Sequence, residues 1–181
     1  MASRETFPFV PAVVDAVPHI PVAAAGGIAD GRGLAAALML GADGVLVGTR
    51  FYASREAAGF PAAKDRMVSE TGDHTIRGIL FDIARRNVWP APYTGRVLRN
   101  SFSEKWRGRE AELLQHQDEE ADRYAAARAK GDFDTAAVIA GEAVDLITDI
   151  PPASEIVRRM VAEATGLLSG ASNRYRVLQQ R

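Results

Sequence analysis

Two apolar runs near the N-terminus end on small, flexible residues. The first, PVAAA over residues 21–25, closes on Gly26-Gly27, and the second, GVLV over 44–47, closes on Gly48-Thr49. Neither run alternates with polar residues, which is the pattern of strands covered on both faces, as in parallel sheets. Between them lies GRGLAAALML, residues 31–40, of helical composition, with Asp30 placed as its N-cap and Gly41 as its stop. Strand, helix and strand joined by tight loops predict a parallel βαβ unit. Upstream, PFVPAVVDAV at 8–17 sets Val10, Val13, Val14 and Val17 on one helical face, and the prolines of PHIP end that helix.

Downstream the pattern changes. Ser54 is placed to cap a short helix through REAAG, and residues 61–70 have helical character. Residues 71–100 form an irregular basic stretch. From Ser103 to about Ala129 the pattern predicts a charged helix with room for a break, and 133–140 predict a further helical segment. Pro151-Pro152 introduce a final helix whose apolar positions, Ile156, Val157, Met160, Val161, Ala164, Leu167 and Leu168, recur at i, i+3/i+4. AAARAKGDFDTAAVIAGEAV looks like half of a helical repeat, but a solenoid needs about three copies and there is one, so that organisation is rejected. The chain therefore divides into βα units over 1–60 and a helical and irregular region over 61–181 that packs on them. Only one parallel pair is predicted. A pair of strands is not independently stable, and its open edges favour association with a second copy or with an N-terminal partner polypeptide.

Composition narrows the function classes. The 181 residues are 47% hydrophobic and 25% charged with a formal net charge of −1, the profile of a soluble globular protein. Near-neutral charge gives no electrostatic case for nucleic acid or an anionic membrane as partner. No stretch approaches the roughly 20 apolar residues that cross a bilayer, and MASRETFPFV carries no secretory h-region, so a cytoplasmic location is the expectation. The absence of cysteine excludes disulfides and cysteine-ligated metals. The three histidines have no metal-ligand spacing: His19 belongs to a turn, His116 to a charged helix and His74 to a loop on the side of the strand ends. Arg50 is placed either near an anion or in an ion pair. Trp89 and Tyr93, beside prolines, are expected to anchor a loop to the core. Asp82, Arg85 and Arg86 are expected on a solvated or ion-paired face, as is the acidic run QDEEAD at 117–122.

Ligands of parallel α/β structures bind at the C-terminal ends of the strands, where both glycine loops fall. A glycine there lets backbone N–H groups approach a phosphate without an intervening Cβ, and the next helix adds the partial positive charge of its N-terminus. Gly26, Gly27, Gly48 and Thr49 are thus two halves of one candidate anion cradle, Thr49 adding a hydroxyl, and SREAAG is a candidate for the short extra helix of a barrel phosphate site.

The stretch IPVAAAGGIADGRGLAAALMLGADGVLVGTRF resembles the C-terminal barrel segment of the nitronate monooxygenase family, formerly 2-nitropropane dioxygenases. FDIARRNVWPAPYTGRVLRNSFSEKWRGREAEL and AGEAVDLITDIPPASEIV resemble its continuation, so the likeness runs from about Thr6 to about Ala164. The paired glycine loops alone are shared with flavin-dependent enoyl reductases, and the two downstream stretches favour the nitronate branch. The resemblance implies α/β architecture as the C-terminal part of a TIM (β/α)8 barrel. It also implies non-covalent FMN and the oxidation of alkyl nitronates by dioxygen. By motif match Gly26, Gly27, Gly48 and Thr49 hold the FMN phosphate. Ala25 stands where some relatives have serine, and Glu142 stands where relatives carry the amide of a GQ motif near the substrate. The family's catalytic histidine belongs to a Gly-Gly-His segment upstream of the stretch matched here, so no catalytic residue and no metal ligand are assigned. The expectation is a shortened form of such a protein. The competing expectations are a flavin-dependent enoyl reductase-like barrel fragment, or a non-catalytic truncated remnant that binds only phosphate or a partner.

Overall fold

The computed structural model describes residues 5–87, 89–90 and 92–179. In chain order the elements are α1 (Thr6–Ala16), β1 (Ala23–Ala25), α2 (Gly31–Met39), β2 (Gly44–Leu46), α3 (Thr49–Tyr52) and α4 (Pro61–Ser69). There follow β3 (Thr75–Gly78), α5 (Leu80–Ala84), β4 (Gly95–Leu98), α6 (Ser101–Trp106), α7 (Glu110–Gln115), α8 (Gln117–Lys130) and α9 (Ala153–Gln179). Short 3₁₀ turns cover Gly72–His74 and Glu142–Leu146. The chain is α/β and forms two compact units, one of residues 58–149 and one that joins residues 2–57 to 150–181.

The second of these contains the predicted βαβ unit. β1 and β2 pair in parallel, Ala23 with Gly44 and Ala25 with Leu46. Asp30 caps α2 as the sequence predicts, its Oδ1 accepting the Arg32 and Gly33 N–H groups at 3.0 and 3.1 Å. Gly41 closes the helix in a left-handed conformation, φ +93°, where any side chain is strained. The core gathers Val10 of α1, Ala24, Ile28, Ala37 and Ala42 with Ile156 and Met160 of α9. The expected stripe of α9 thus splits: Ile156, Met160 and Ala164 are buried, whereas Val157 and Val161 are exposed. Coverage of β1 is also one-sided. Ala24 is buried, but Ala23 and Ala25 are exposed, as is Leu46 on β2 at 67%. The two-sided coverage read from the unbroken apolar runs is therefore not found, because α1, α2 and α9 supply one face alone.

The other unit is built on an antiparallel hairpin that the sequence pattern did not reveal: Thr75 pairs with Leu98 and Gly78 with Gly95. Ile139 adds an isolated bridge to Val97, so the expected helix at 133–140 is absent: residues 133–136 form a turn and 137–140 run alongside β4. The cause is competition for carbonyls. Asn100 Nδ2 donates to Phe133 and Ala136 carbonyls at 3.2 and 3.0 Å, and Leu98 N–H takes the Val138 carbonyl at 2.9 Å. The charged helix expected from 103 to 129 is three helices, broken at Gly108, where φ is +75°, and again at His116. Phe81, Phe102 and Tyr124 meet in the core with ring centroids 5.1 and 6.3 Å apart.

Candidate functional site

The register of the parallel pair fixes where the glycine loops lie. Ala25 is level with Leu46, so Gly26-Gly27 and Gly48-Thr49 both follow at the C-terminal end of neighbouring strands, which lie about 4.8 Å apart. Gly26 and Gly27 have φ of +103° and +73°, the left-handed region that favours glycine. Gly48, at φ −94°, has no such conformational need. What Gly27 and Gly48 share is space: a Cβ built on either would find no atom within 4 Å. Both loops therefore present bare backbone to open room at one end of the sheet.

One residue that sequence reasoning missed shapes this loop. Thr6, at the start of α1, donates its hydroxyl to the Gly26 carbonyl at 3.1 Å and lies 3.4 Å from the Ala25 carbonyl. The peptide is planar and trans, so an anchored Gly26 carbonyl turns the Gly27 N–H of the same plane the opposite way. Behind the loop, Thr6, Val10, Gly27, Ile28 and Ala37 are among the walls of a cavity of about 290 Å³.

The helix ends divide differently from expectation. The first amides of α2 are already satisfied: Gly31 N–H by the Glu163 carboxylate of α9 at 2.8 Å, Arg32 and Gly33 by Asp30. Burial alone would raise the Asp30 pKa, but the Arg32 side-chain hydrogen bond, the Gly33 N–H and the Arg32 charge together hold it below the usual carboxylate range. The short helix following β2 begins at Thr49 itself, with Gly48 as its N-cap, and not at Ser54. Residues 53–59 are turns and bends, because the Ser54 hydroxyl folds back onto the Phe51 carbonyl at 2.7 Å. Arg50 is buried and donates to the Ala53 carbonyl at 3.3 Å.

The remaining candidates go to structural contacts. His74 Nδ1 lies 2.8 Å from Glu70, His116 packs its ring 6.2 Å from that of Trp106, and His19 is exposed in a turn. Glu142 pairs with Arg96 at 2.9 Å. Asp82 is buried, 4.0 Å from Arg85, whereas Arg86 meets Asp118 at 2.7 Å. Trp89 and Tyr93 are exposed at 59% and 65%, so neither anchors its loop to the core. Among the described residues no group of three or more His, Asp or Glu side chains is arranged to hold a metal. Among them, too, no helix is long and apolar enough to cross a membrane.

The family model described as nitronate monooxygenase matches residues 1–163. The nitronate monooxygenase npaC of Metarhizium robertsii is 40% identical over 177 residues, 92% of this chain and 48% of its own. The nitronate monooxygenase of Neurospora crassa is 38% identical over 151 residues, 81% of this chain and 38% of its own. Among solved structures, FabK from Thermotoga maritima superposes with a TM-score of 0.79 at 32% identity, over 96% of this chain and 53% of that one. Nitroalkane oxidase from Streptomyces ansochromogenes gives 0.74 at 26% identity, over 92% and 45%. Both are TIM-barrel enzymes. The chain spans about half the length of the npaC protein, and less of the Neurospora one.

Proposed function

The chain belongs to the nitronate monooxygenase family, and from that premise we propose that it forms the phosphate-holding part of an FMN-dependent oxidation of alkyl nitronates by dioxygen. The observation that carries this reading is the pair of open glycine loops at one end of β1 and β2. The loops fit a phosphate: Gly27 and Gly48 leave the room a Cβ would fill, and Thr49 brings a hydroxyl to the start of α3. When bound, FMN supplies a ring that takes electrons from the nitronate and returns them to dioxygen. The residues of this chain bind and orient: Gly26 and Gly27 on one loop, Gly48 and Thr49 on the other, with Thr6 fixing the first loop's peptide plane. No general base is assigned within the chain: the family's catalytic histidine belongs, by resemblance, to a Gly-Gly-His segment that this sequence does not contain. In this reading β1 and β2 are two neighbouring strands of a TIM barrel, and the exposed Ala23, Ala25 and Leu46 face its interior.

The test is spectroscopic. The purified chain, mixed with FMN and desalted, is expected to retain flavin absorbance, and oxygen uptake with a propyl nitronate then tests the oxidation. A colourless chain that takes up no added FMN overturns the reading. A flavin-dependent enoyl reductase is the second reading, supported by the glycine-loop pattern the two branches share. Bleaching of the bound flavin by a reduced nicotinamide cofactor, without oxygen uptake on nitronate, would favour it.

A further inference from the structure

The four N-terminal amides of α2 stand at the loop expected to hold an anion, yet none is left for one. Gly31 N–H is taken by Glu163 Oε2 at 2.8 Å, Arg32 and Gly33 by Asp30 Oδ1, and Leu34 by the Asp30 carbonyl at 3.2 Å. Three of these are N–H groups that a helix of this kind leaves without intrahelical partners. Two carboxylates, from opposite ends of the sequence, thus occupy the place where a phosphate would meet the helix end. Arg32 lies between them, ion-paired to Asp30 and feeling the charge of Glu163.

The contact at Gly31 is close. A Cβ there would fall 2.5 Å from Glu163 Cβ, 2.6 Å from the Met160 carbonyl oxygen and 2.7 Å from Ala164 N, so the backbone of α9 sits directly on the first residue of α2. From Gly31 back to Gly27 the chain has no slack. Ile28 and Ala29 are buried, and Ile28 packs against Gly33. A shift at Gly31 therefore moves the glycine loop.

We propose that Glu163 is a positioning residue for the phosphate loop: it holds the first amide of α2, fixes the far end of the Gly27–Gly31 segment, and leaves anion binding to the glycine loops instead of the helix end. The proposal rests on the phosphate-cradle reading above. Thr6 secures the near end at the Gly26 carbonyl, so the segment is tethered from α1 on one side and α9 on the other.

Two substitutions separate tether from charge. Glu163→Ala removes both, whereas Glu163→Gln keeps an oxygen that accepts the Gly31 N–H. Fluorescence titration with FMN and with riboflavin, which lacks the phosphate, reads the consequence. Glu163→Ala is expected to weaken FMN about tenfold while changing riboflavin less than about twofold, the scale of losing one capping contact. Glu163→Gln is expected to bind FMN within about twofold of the parent, because the acceptor persists. Hydrogen exchange supplies a readout without flavin: the Gly31 amide and the buried Ile28 and Ala29 amides are expected to exchange about tenfold faster in Glu163→Ala and as in the parent in Glu163→Gln. Unchanged FMN affinity in Glu163→Ala overturns the proposal. So does an equal loss for riboflavin and FMN, or an equal loss in the glutamine variant. If the parent chain binds no FMN, the phosphate reading itself fails, and exchange at Ile28, Ala29 and Gly31 then decides the role of Glu163 alone.

Discussion

Gly31→Ala adds a single methyl group where α9 lies close against the start of α2. Ordinary van der Waals contact begins near 3.4 Å, and the added carbon would lie 2.5 Å from Glu163 Cβ and 2.6 and 2.7 Å from backbone atoms of Met160 and Ala164. Backbone cannot rotate away, so α9 must retreat by about 0.8 Å, and Ile156 and Met160 retreat from the core with it. Overpacking of this kind costs about 1–3 kcal/mol. Losing the carboxylate contact to the Gly31 N–H adds about 1 kcal/mol. Replacing glycine by alanine in a helix returns up to about 1 kcal/mol. The net expectation is a loss of about 2 kcal/mol, a fall in melting temperature of about 4–8 °C for a chain of this size. The matched control is Gly166→Ala on α9, where the added methyl meets nothing within 4 Å and the helix-propensity gain, up to about 1 kcal/mol, is expected alone. Urea unfolding followed by far-UV circular dichroism measures both. A Gly31→Ala chain as stable as the parent would refute the close α2–α9 contact from which the role of Glu163 is argued.

The two loop glycines are expected to fail differently. Gly48→Ala, at φ −94°, leaves stability unchanged and weakens FMN by crowding the phosphate, whereas Gly27→Ala, at φ +73°, also costs about 1 kcal/mol of stability; titration and unfolding on both variants check this. Thr6→Val keeps the shape of the side chain but frees the Gly26 carbonyl, and FMN affinity is expected to fall several-fold with little change for riboflavin. Asp30 has a folded pKa below its unfolded value of about 3.9, so its stabilising effect is complete above that pH and is lost as pH falls through the folded value. Asp30→Asn is therefore expected to flatten the acid limb of the stability profile below about pH 4, and urea midpoints across that range measure it.

The parallel unit was legible because its signals are local: unbroken apolar runs, Asp30 before α2 and glycines at each strand end. The hairpin was hidden by its own composition. Four-residue strands carrying Arg77, Arg96 and two glycines resemble a basic loop until Val97 and Leu98 are found buried on either face. The turn at 133–136, which displaces the expected helix, is held by Asn100, more than thirty residues earlier, and no periodicity in AAVIA could announce it. For α9 the sequence showed the apolar stripe but not its destination. The nearest clue was Gly31, a glycine opening a helix behind a strong cap, which the close approach of Glu163 and Met160 explains. At the site, residue identity marked Gly26, Gly27, Gly48 and Thr49, but Thr6 and Glu163 came from twenty and 132 positions away in the chain and carried no motif.

If the glycine loops that follow β1 and β2 recognise a flavin by its phosphate, the chain must prefer FMN to riboflavin. The measurement that tests it most directly is the affinity of the unaltered chain for FMN set against riboflavin, by fluorescence titration under one buffer. Two charge-assisted hydrogen bonds to a phosphate, at about 1.5 kcal/mol or more each, predict at least a hundredfold preference for FMN. Equal affinity for the two flavins, or binding of neither, would contradict the account.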